Sequence, residues 1–150
     1  MVPSLSSIPV SMLRQFLFCR RIPFFVLVRN IRPCAKPWME NGVVQHEKIE
    51  SLFSRRRVEC ITNGLHHRFD REVRLCDFDI GLHGICDIVM YFGGGACPIE
   101  VKTGGSGVLR KGNLVQLAAY AVLLERKIGK SVDRGYFFDA MRNKLREVLI

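Results

Sequence analysis

Two apolar runs on either side of a triple glycine restrict this chain more than any other feature. Ile85 to Phe92 and Ala96 to Lys102 flank Gly93-Gly94-Gly95, and a glycine cluster between β-prone runs reads as the turn of a hairpin. An isolated hairpin is not stable in water, so further strands or a helix must cover it. Leu65 to Leu75 reads as a strand, alternating Phe69, Val73 and Leu75 against charges, and Phe78, Ile80 and Leu82 alternate after it. Val132 to Phe138 is a further strand, while Leu145 to Ile150 fits a strand or a helix equally well. Helical spacing marks Leu13, Phe16 and Leu17 after an N-cap at Ser11, with Pro23 expected to bend or end that helix. A second helix is expected from Met39 to Arg56 on Val43, His46, Ile49 and Phe53. A third follows the Gly104-Gly105-Ser106-Gly107 loop, from an Asn113 cap to about Arg126, with its stripe at Leu114, Leu117, Ala121 and Leu124. This order reads as a mixed α/β or α+β domain, a central sheet flanked by helices.

The 150 residues suit one domain that buries roughly 70% of the surface its unfolded chain exposes, which excludes a large multidomain enzyme. Met1 to Val10 reads as a loose leader and residues 11–150 as the domain. Six cysteines (Cys19, Cys34, Cys60, Cys76, Cys86 and Cys97) form no CxxC pair, so they read as mostly reduced core residues of a cytoplasmic protein. The most apolar stretch, Ile22 to Val28, is far shorter than the roughly 20 residues that cross a bilayer, and no membrane segment is expected. Lys plus Arg number 23 against 14 acids, a net charge of +9. That surplus points to an anionic partner, nucleic acid ahead of acidic lipid. The first 38 residues hold six basic residues and no acid. Such a start is compatible with a transit peptide, but the apolar face through Leu13 favours a folded helix beside a nucleic acid.

The chemistry concentrates on the hairpin. In a strand, residues two apart share a face, so Glu100 and Lys102 point one way and Val101 points into the core. Asp87, on the neighbouring strand, can come opposite Glu100. Two converging carboxylates repel unless a cation joins them, and an oxygen-rich site of this kind suits Mg²⁺ or Mn²⁺. Lys102 beside them can contact a phosphate and orient an attacking water, the requirement of metal-assisted phosphodiester cleavage. The plainer alternative is a solvated hairpin face. His46 sits on an apolar helix face, as a ligand or as a satisfied core residue. Gln116 and Tyr120, at i and i+4, share one helix face, although Gln116 could instead complete a capping box with Asn113 and Tyr120 could simply pack.

Taken in order, Cys19-Arg20-Arg21, His46, Gly84-x-x-Asp87, Glu100-Val101-Lys102-Thr103-Gly104 and Gln116-x-x-x-Tyr120 resemble the RecB-type nucleases of the PD-(D/E)XK superfamily. Within them the chain is most similar to the small CRISPR-associated RecB-like exonucleases, from about Ser11 to Tyr136. The resemblance implies a restriction-endonuclease-like core. It also implies a metal held by His46, Asp87, Glu100 and the carbonyl of Val101, with Lys102 as catalytic lysine. Gln116 and Tyr120 would support Lys102 and contact the DNA strand. The implied activity is Mg²⁺- or Mn²⁺-dependent cleavage of DNA, exonucleolytic on single strands or frayed ends, in trimming prespacers alongside the CRISPR integrase. Two alternatives stand beside it: a repair or recombination nuclease with the same site, and a DNA-binding assembly subunit with weak or no activity.

The chain departs from that pattern in two places. The usual Cys-Pro-Arg is Cys19-Arg20-Arg21 here, with the proline displaced to Pro23. Relatives with an iron–sulfur cluster take three ligands from a C-terminal cysteine group, and here no cysteine follows Cys97. No cluster is therefore expected in this chain, Cys19 remaining as a remnant ligand. Either the cluster region is missing or this is a reduced member that lacks it. The DNA surface is expected at Arg14, Arg20, Arg21, the Arg55-Arg56-Arg57 run, Arg110 and Lys111, with Phe24 or Tyr120 stacking on bases. For Arg55 to Arg57 a solvated helix end is the plainer reading.

Overall fold

A computed structural model of the chain describes residues 7–31, 68–102, 109–142 and 144–150. The chain enters as a two-residue strand, β1 (Ile8–Pro9), followed by α1 (Val10–Phe18), a single turn α2 (Arg21–Pro23) and a π-helical turn (Phe24–Val28). Then come β2 (Arg68–Asp77), β3 (Leu82–Phe92), β4 (Gly95–Lys102), α3 (Lys111–Ile128), β5 (Arg134–Asp139) and β6 (Lys144–Leu149). The expected helix from Met39 to Arg56 and the Gly104 to Gly107 loop lie outside the described residues.

The six strands form one sheet centred on β3. Strand β2 runs antiparallel along one edge of β3, from Asp77↔Leu82 to Arg68↔Tyr91. The other edge is shared. Strand β1 pairs there in parallel at Leu82 and His83, and β4 pairs antiparallel from Ile88 to Phe92. Residues 84–87 of β3 therefore face an opening between β1 and β4. The hairpin turn is the two residues Gly93 and Gly94, both at positive φ, the conformation that makes a two-residue turn match the strand twist and favours glycine. Beyond β4, α3 carries the chain across to β5, which pairs with β4 in parallel, and β6 closes the sheet antiparallel to β5. The last segment is thus a strand, its hydrogen bonds supplied by β5.

Helices α1 and α3 cover one face, where Val10, Leu75, Cys86, Val89, Ala121, Leu123 and Leu124 form the larger core. Ile88, Met90, Cys97, Ile99, Val101 and Phe138 form a second core on the opposite face. Leu117, Ala121 and Leu124 of the expected stripe are buried, as the 3.6-residue period requires.

Several local expectations are corrected. Pro9, extended at φ −61° and ψ 132°, is the N-cap of α1, so Ser11 lies inside the first turn and no side chain caps it. The end of the expected leader is also structured, since Ile8 and Pro9 join the sheet. Helix α1 ends at Phe18 because Cys19 turns extended, at φ −155°. Pro23 does not stop the chain: it closes a new turn and leads into the π segment, where its missing N–H is tolerated near a helix start. Leu13 packs on the core, but Phe16 and Leu17 are exposed. Phe78 and Ile80 belong to a turn, not a strand. Asp77 Oδ1 accepts the N–H groups of Asp79 and Ile80 there, a side-chain-capped turn of the kind aspartate favours. Asn113 is the third residue of α3, whose N-cap is Arg110, so Asn113 and Gln116 form no capping box. Of the described cysteines, Cys86 and Cys97 are buried, Cys19 is partly exposed and Cys76 is exposed.

Candidate active site

The site lies where β3 and β4 part. Their pairing reaches Ile88↔Ile99, which sets Asp87 across from Glu100. There the ladder stops, and Asp87 Oδ2 accepts the N–H of Val101 at 2.8 Å. A side-chain carboxylate thus stands where a strand carbonyl would otherwise be. A strand residue's N–H and C=O point to the same edge, so the Val101 carbonyl also faces Asp87. The Val101 side chain is buried in the opposite core, which leaves Glu100 and Lys102 on the α3 face, as period-2 alternation predicts.

Glu100 is 5% exposed. Its Oε1 accepts from Lys102 Nζ at 2.9 Å, and Lys102 also lies 5.9 Å from the centre of the Phe137 ring. Glu100 Oε2 is buried and has no hydrogen-bond partner among the described residues. Burying a carboxylate with half its acceptors unmet is costly, and such a group in a native fold calls for an explanation.

Helix α3 closes the site from above the sheet with Gln116 and Tyr120, 7% and 4% exposed. Tyr120 Oη donates to the Ile85 carbonyl at 2.7 Å. That carbonyl belongs to the segment of β3 lying between β1 and β4, so the phenol satisfies a strand acceptor there. Gln116 stands one helical turn before Tyr120 on the same face, and its Oε1 is a second buried acceptor without a hydrogen-bond partner among the described residues. Burial first, and then the neighbouring Glu100, push the Tyr120 hydroxyl well above its ordinary range, so it remains a donor. Gly84 makes this approach possible: a Cβ there would sit 2.9 Å from Tyr120 Cε1 and 3.2 Å from Val10 Cβ.

Asp87, Glu100, Val101, Lys102, Gln116 and Tyr120 therefore converge. Gln116 and Tyr120 are both buried, and the Tyr120 hydroxyl is committed to the Ile85 carbonyl. His46 and Arg55 to Arg57 lie outside the described residues. Arg14 packs against Gly112, where a Cβ would meet its Cγ at 3.0 Å, so it joins exposed Arg110 and Lys111 around the start of α3. Exposed Arg20 and Arg21 are set apart beyond the end of α1, with Arg20 over the Phe16 ring at 5.7 Å. Sequence reasoning missed the Ile85 carbonyl, a backbone atom that no side-chain pattern announces.

The donor set suits a hard cation. Two carboxylates and a carbonyl edge supply oxygen only, the preference of Mg²⁺ and Mn²⁺, and Glu100 Oε2 has no hydrogen-bond donor among the described residues. Among the described residues no third acid, histidine or cysteine completes the group.

No protein-family model matches the chain. It is 32% identical over 126 residues to a protein named CRISPR-associated exonuclease Cas4 from Francisella tularensis subsp. novicida (strain U112), an alignment that covers 83% of this chain and 62% of that protein. The chain thus spans less than two thirds of that relative's length. Among solved structures it is similar to one described as the crystal structure of SSO0001, with a TM-score of 0.55 and 18% identity, over 99% of this chain and 69% of that one. At that identity the likeness concerns the fold. The six-stranded mixed sheet with helices against it is consistent with the expected restriction-endonuclease-like core.

Proposed function

We propose that this chain is a CRISPR-associated RecB-like nuclease, one that hydrolyses phosphodiester bonds in DNA with a divalent metal, a reading supported by its 32% identity over 126 residues to the Francisella exonuclease. The observation that carries this reading is the meeting of Asp87, Glu100 and Lys102, with one buried Glu100 oxygen without a donor among the described residues. The relative's being an exonuclease associated with CRISPR supports exonucleolytic action and a CRISPR setting. We accordingly assign the substrate as single-stranded or frayed DNA and the role as trimming prespacers beside the CRISPR integrase.

Asp87 and Glu100, with the Val101 carbonyl, would hold the ion, and His46 would complete the set if the resemblance extends to it. An ion held there would supply Lewis-acid activation of the phosphodiester and of the attacking water. Lys102, held beside Glu100, is placed to neutralise a phosphate oxygen and fix the attacking water. Tyr120 acts as a positioning residue: it holds the β3 backbone at Ile85, two residues before Asp87, and Gln116 would support Lys102 from the same helix face. Arg14, Arg110 and Lys111, around a helix start with no acid in its first turn, would bind the phosphate backbone without reading sequence.

End-labelled single-stranded DNA incubated with the purified chain tests this. Wild type is expected to shorten the label in Mg²⁺ or Mn²⁺ and not with chelator, and Asp87→Ala to leave it intact. Binding without cleavage by wild type would overturn the enzyme reading in favour of a DNA-binding subunit.

A further inference from the structure

Strands β2 and β3 keep one register from end to end and yet change faces in the middle. Arg68↔Tyr91 to Arg71↔Ile88 and Val73↔Cys86 to Asp77↔Leu82 follow a single antiparallel register, with Glu72 opposite Asp87 at the one step where no pair forms. On the turn side of that step, Phe69, Ile88 and Met90 pack in the core away from α3. On the other side, Val73, Leu75, Leu82 and Cys86 pack in the core beneath α3. Regular strands alternate with period 2. Phe69, Val73 and Leu75 should therefore share a face, and so should Leu82, Cys86 and Ile88. Both strands invert at Glu72 and Asp87.

The inversion decides where Asp87 goes. Extended regularly from Leu82 and Cys86, β3 would put position 87 on the face opposite Glu100. With the inversion, Asp87 comes across from Glu100 and its carboxylate reaches Val101 N. Strand β2 must follow, because its register with β3 does not slip. The backbone of Glu72 shows how it does so: its φ is +47°, and only Asn30 shares a positive φ among the described non-glycine residues. L-residues with a Cβ disfavour that conformation, and strained backbone of this kind gathers at functional sites.

We propose that Glu72 is a positioning residue of the site: its left-handed backbone lets β2 track the inversion in β3 that turns Asp87 toward Glu100. The role belongs to the backbone at position 72 and not to its carboxylate, whose side chain is exposed. This rests on the metal-site reading given above.

Mn²⁺ titration calorimetry on the whole chain, with thermal melts and the DNA assay alongside, tests it. Glycine and asparagine enter the left-handed region readily, valine does not, and glutamine removes only the charge. Glu72→Gly, Glu72→Asn and Glu72→Gln are expected to keep Mn²⁺ affinity within about twofold, and Glu72→Val to weaken it roughly 10–100-fold, the range for residues that orient metal ligands. A folded Glu72→Val chain with wild-type affinity would overturn the proposal. So would a loss in Glu72→Gln or Glu72→Asn as large as that expected for valine, since the carboxylate would then be acting directly. Those two arms decide the matter even if the valine chain does not fold. Equal Mn²⁺ affinity in wild type and Asp87→Ala would overturn the metal site itself and this proposal with it. A loss in Asp87→Ala with none in Glu72→Val would overturn the proposal alone.

Discussion

Gly84 shows how one missing Cβ serves the site. It lets Tyr120 come down onto β3, and a Cβ at 2.9 Å from an aromatic carbon and 3.2 Å from Val10 would force one of them to move. Glu100 illustrates the opposite case, a carboxyl group kept in the interior with one oxygen unmet among the described residues. Gly84→Ala is expected to lower stability by about 1–3 kcal/mol, the usual cost of overpacking, measured by urea denaturation. It should also cut activity, because Tyr120 and Ile85 shift together. The buried cysteines set an alkaline limit. Burial pushes the Cys97 thiol from 9.0 up to about 12, and burial raises Cys86 further. Above pH 9 the unfolded chain releases these protons while the folded chain keeps them. Stability is therefore complete below the unfolded pKa and falls as pH rises toward the folded one. Cys97→Ala is expected to flatten the fall in melting temperature between pH 9 and pH 12; an unchanged slope would mean that the thiol titrates normally.

At the scale of elements, the hairpin and α3 are legible in the sequence because each follows a single physical rule. Gly93 and Gly94 supply the two positive-φ residues of a tight turn, and Leu117, Ala121 and Leu124 follow the helical period. Glu100, Val101 and Lys102 fall where alternation sends them. Strand β2 is different. Phe69, Val73 and Leu75 look like one apolar face, but Phe69 packs opposite the other two, since a backbone inversion at Glu72 leaves no trace in a hydrophobic pattern. Ser11 and Asn113 fail as caps for a related reason: each helix starts earlier than its cap-forming side chain, at Pro9 and Arg110. The link between α3 and β3 can be measured. Tyr120→Phe removes the hydrogen bond from the phenol to the part-buried Ile85 carbonyl, which is expected to cost about 0.5–1.5 kcal/mol, the usual net contribution of such a bond. A stability unchanged by this substitution would show that another donor reaches Ile85.

For the whole molecule, the net charge of +9 and the acidic site are complementary. The carboxylates gather inside, at the parting of β3 and β4, while Arg14, Arg110 and Lys111 stand around the start of α3, the helix that covers them. Phosphate contacts release counterions, so log affinity falls linearly with log salt. Replacing Arg14, Arg110 and Lys111 together by alanine is expected to reduce that slope by about 2 on single strands, at roughly 0.7 per lost contact. An unchanged slope would place the DNA path elsewhere.

Single-turnover cleavage of end-labelled single-stranded DNA in Mn²⁺, comparing wild type with Lys102→Ala at matched DNA occupancy, tests the central claim most directly. Removing the lysine that pairs with Glu100 is expected to slow cleavage by at least about 100-fold, the scale of losing one charge-stabilising donor, while DNA affinity changes little. Equal cleavage rates for the two chains would contradict the assignment of Asp87, Glu100 and Lys102 as the reacting centre.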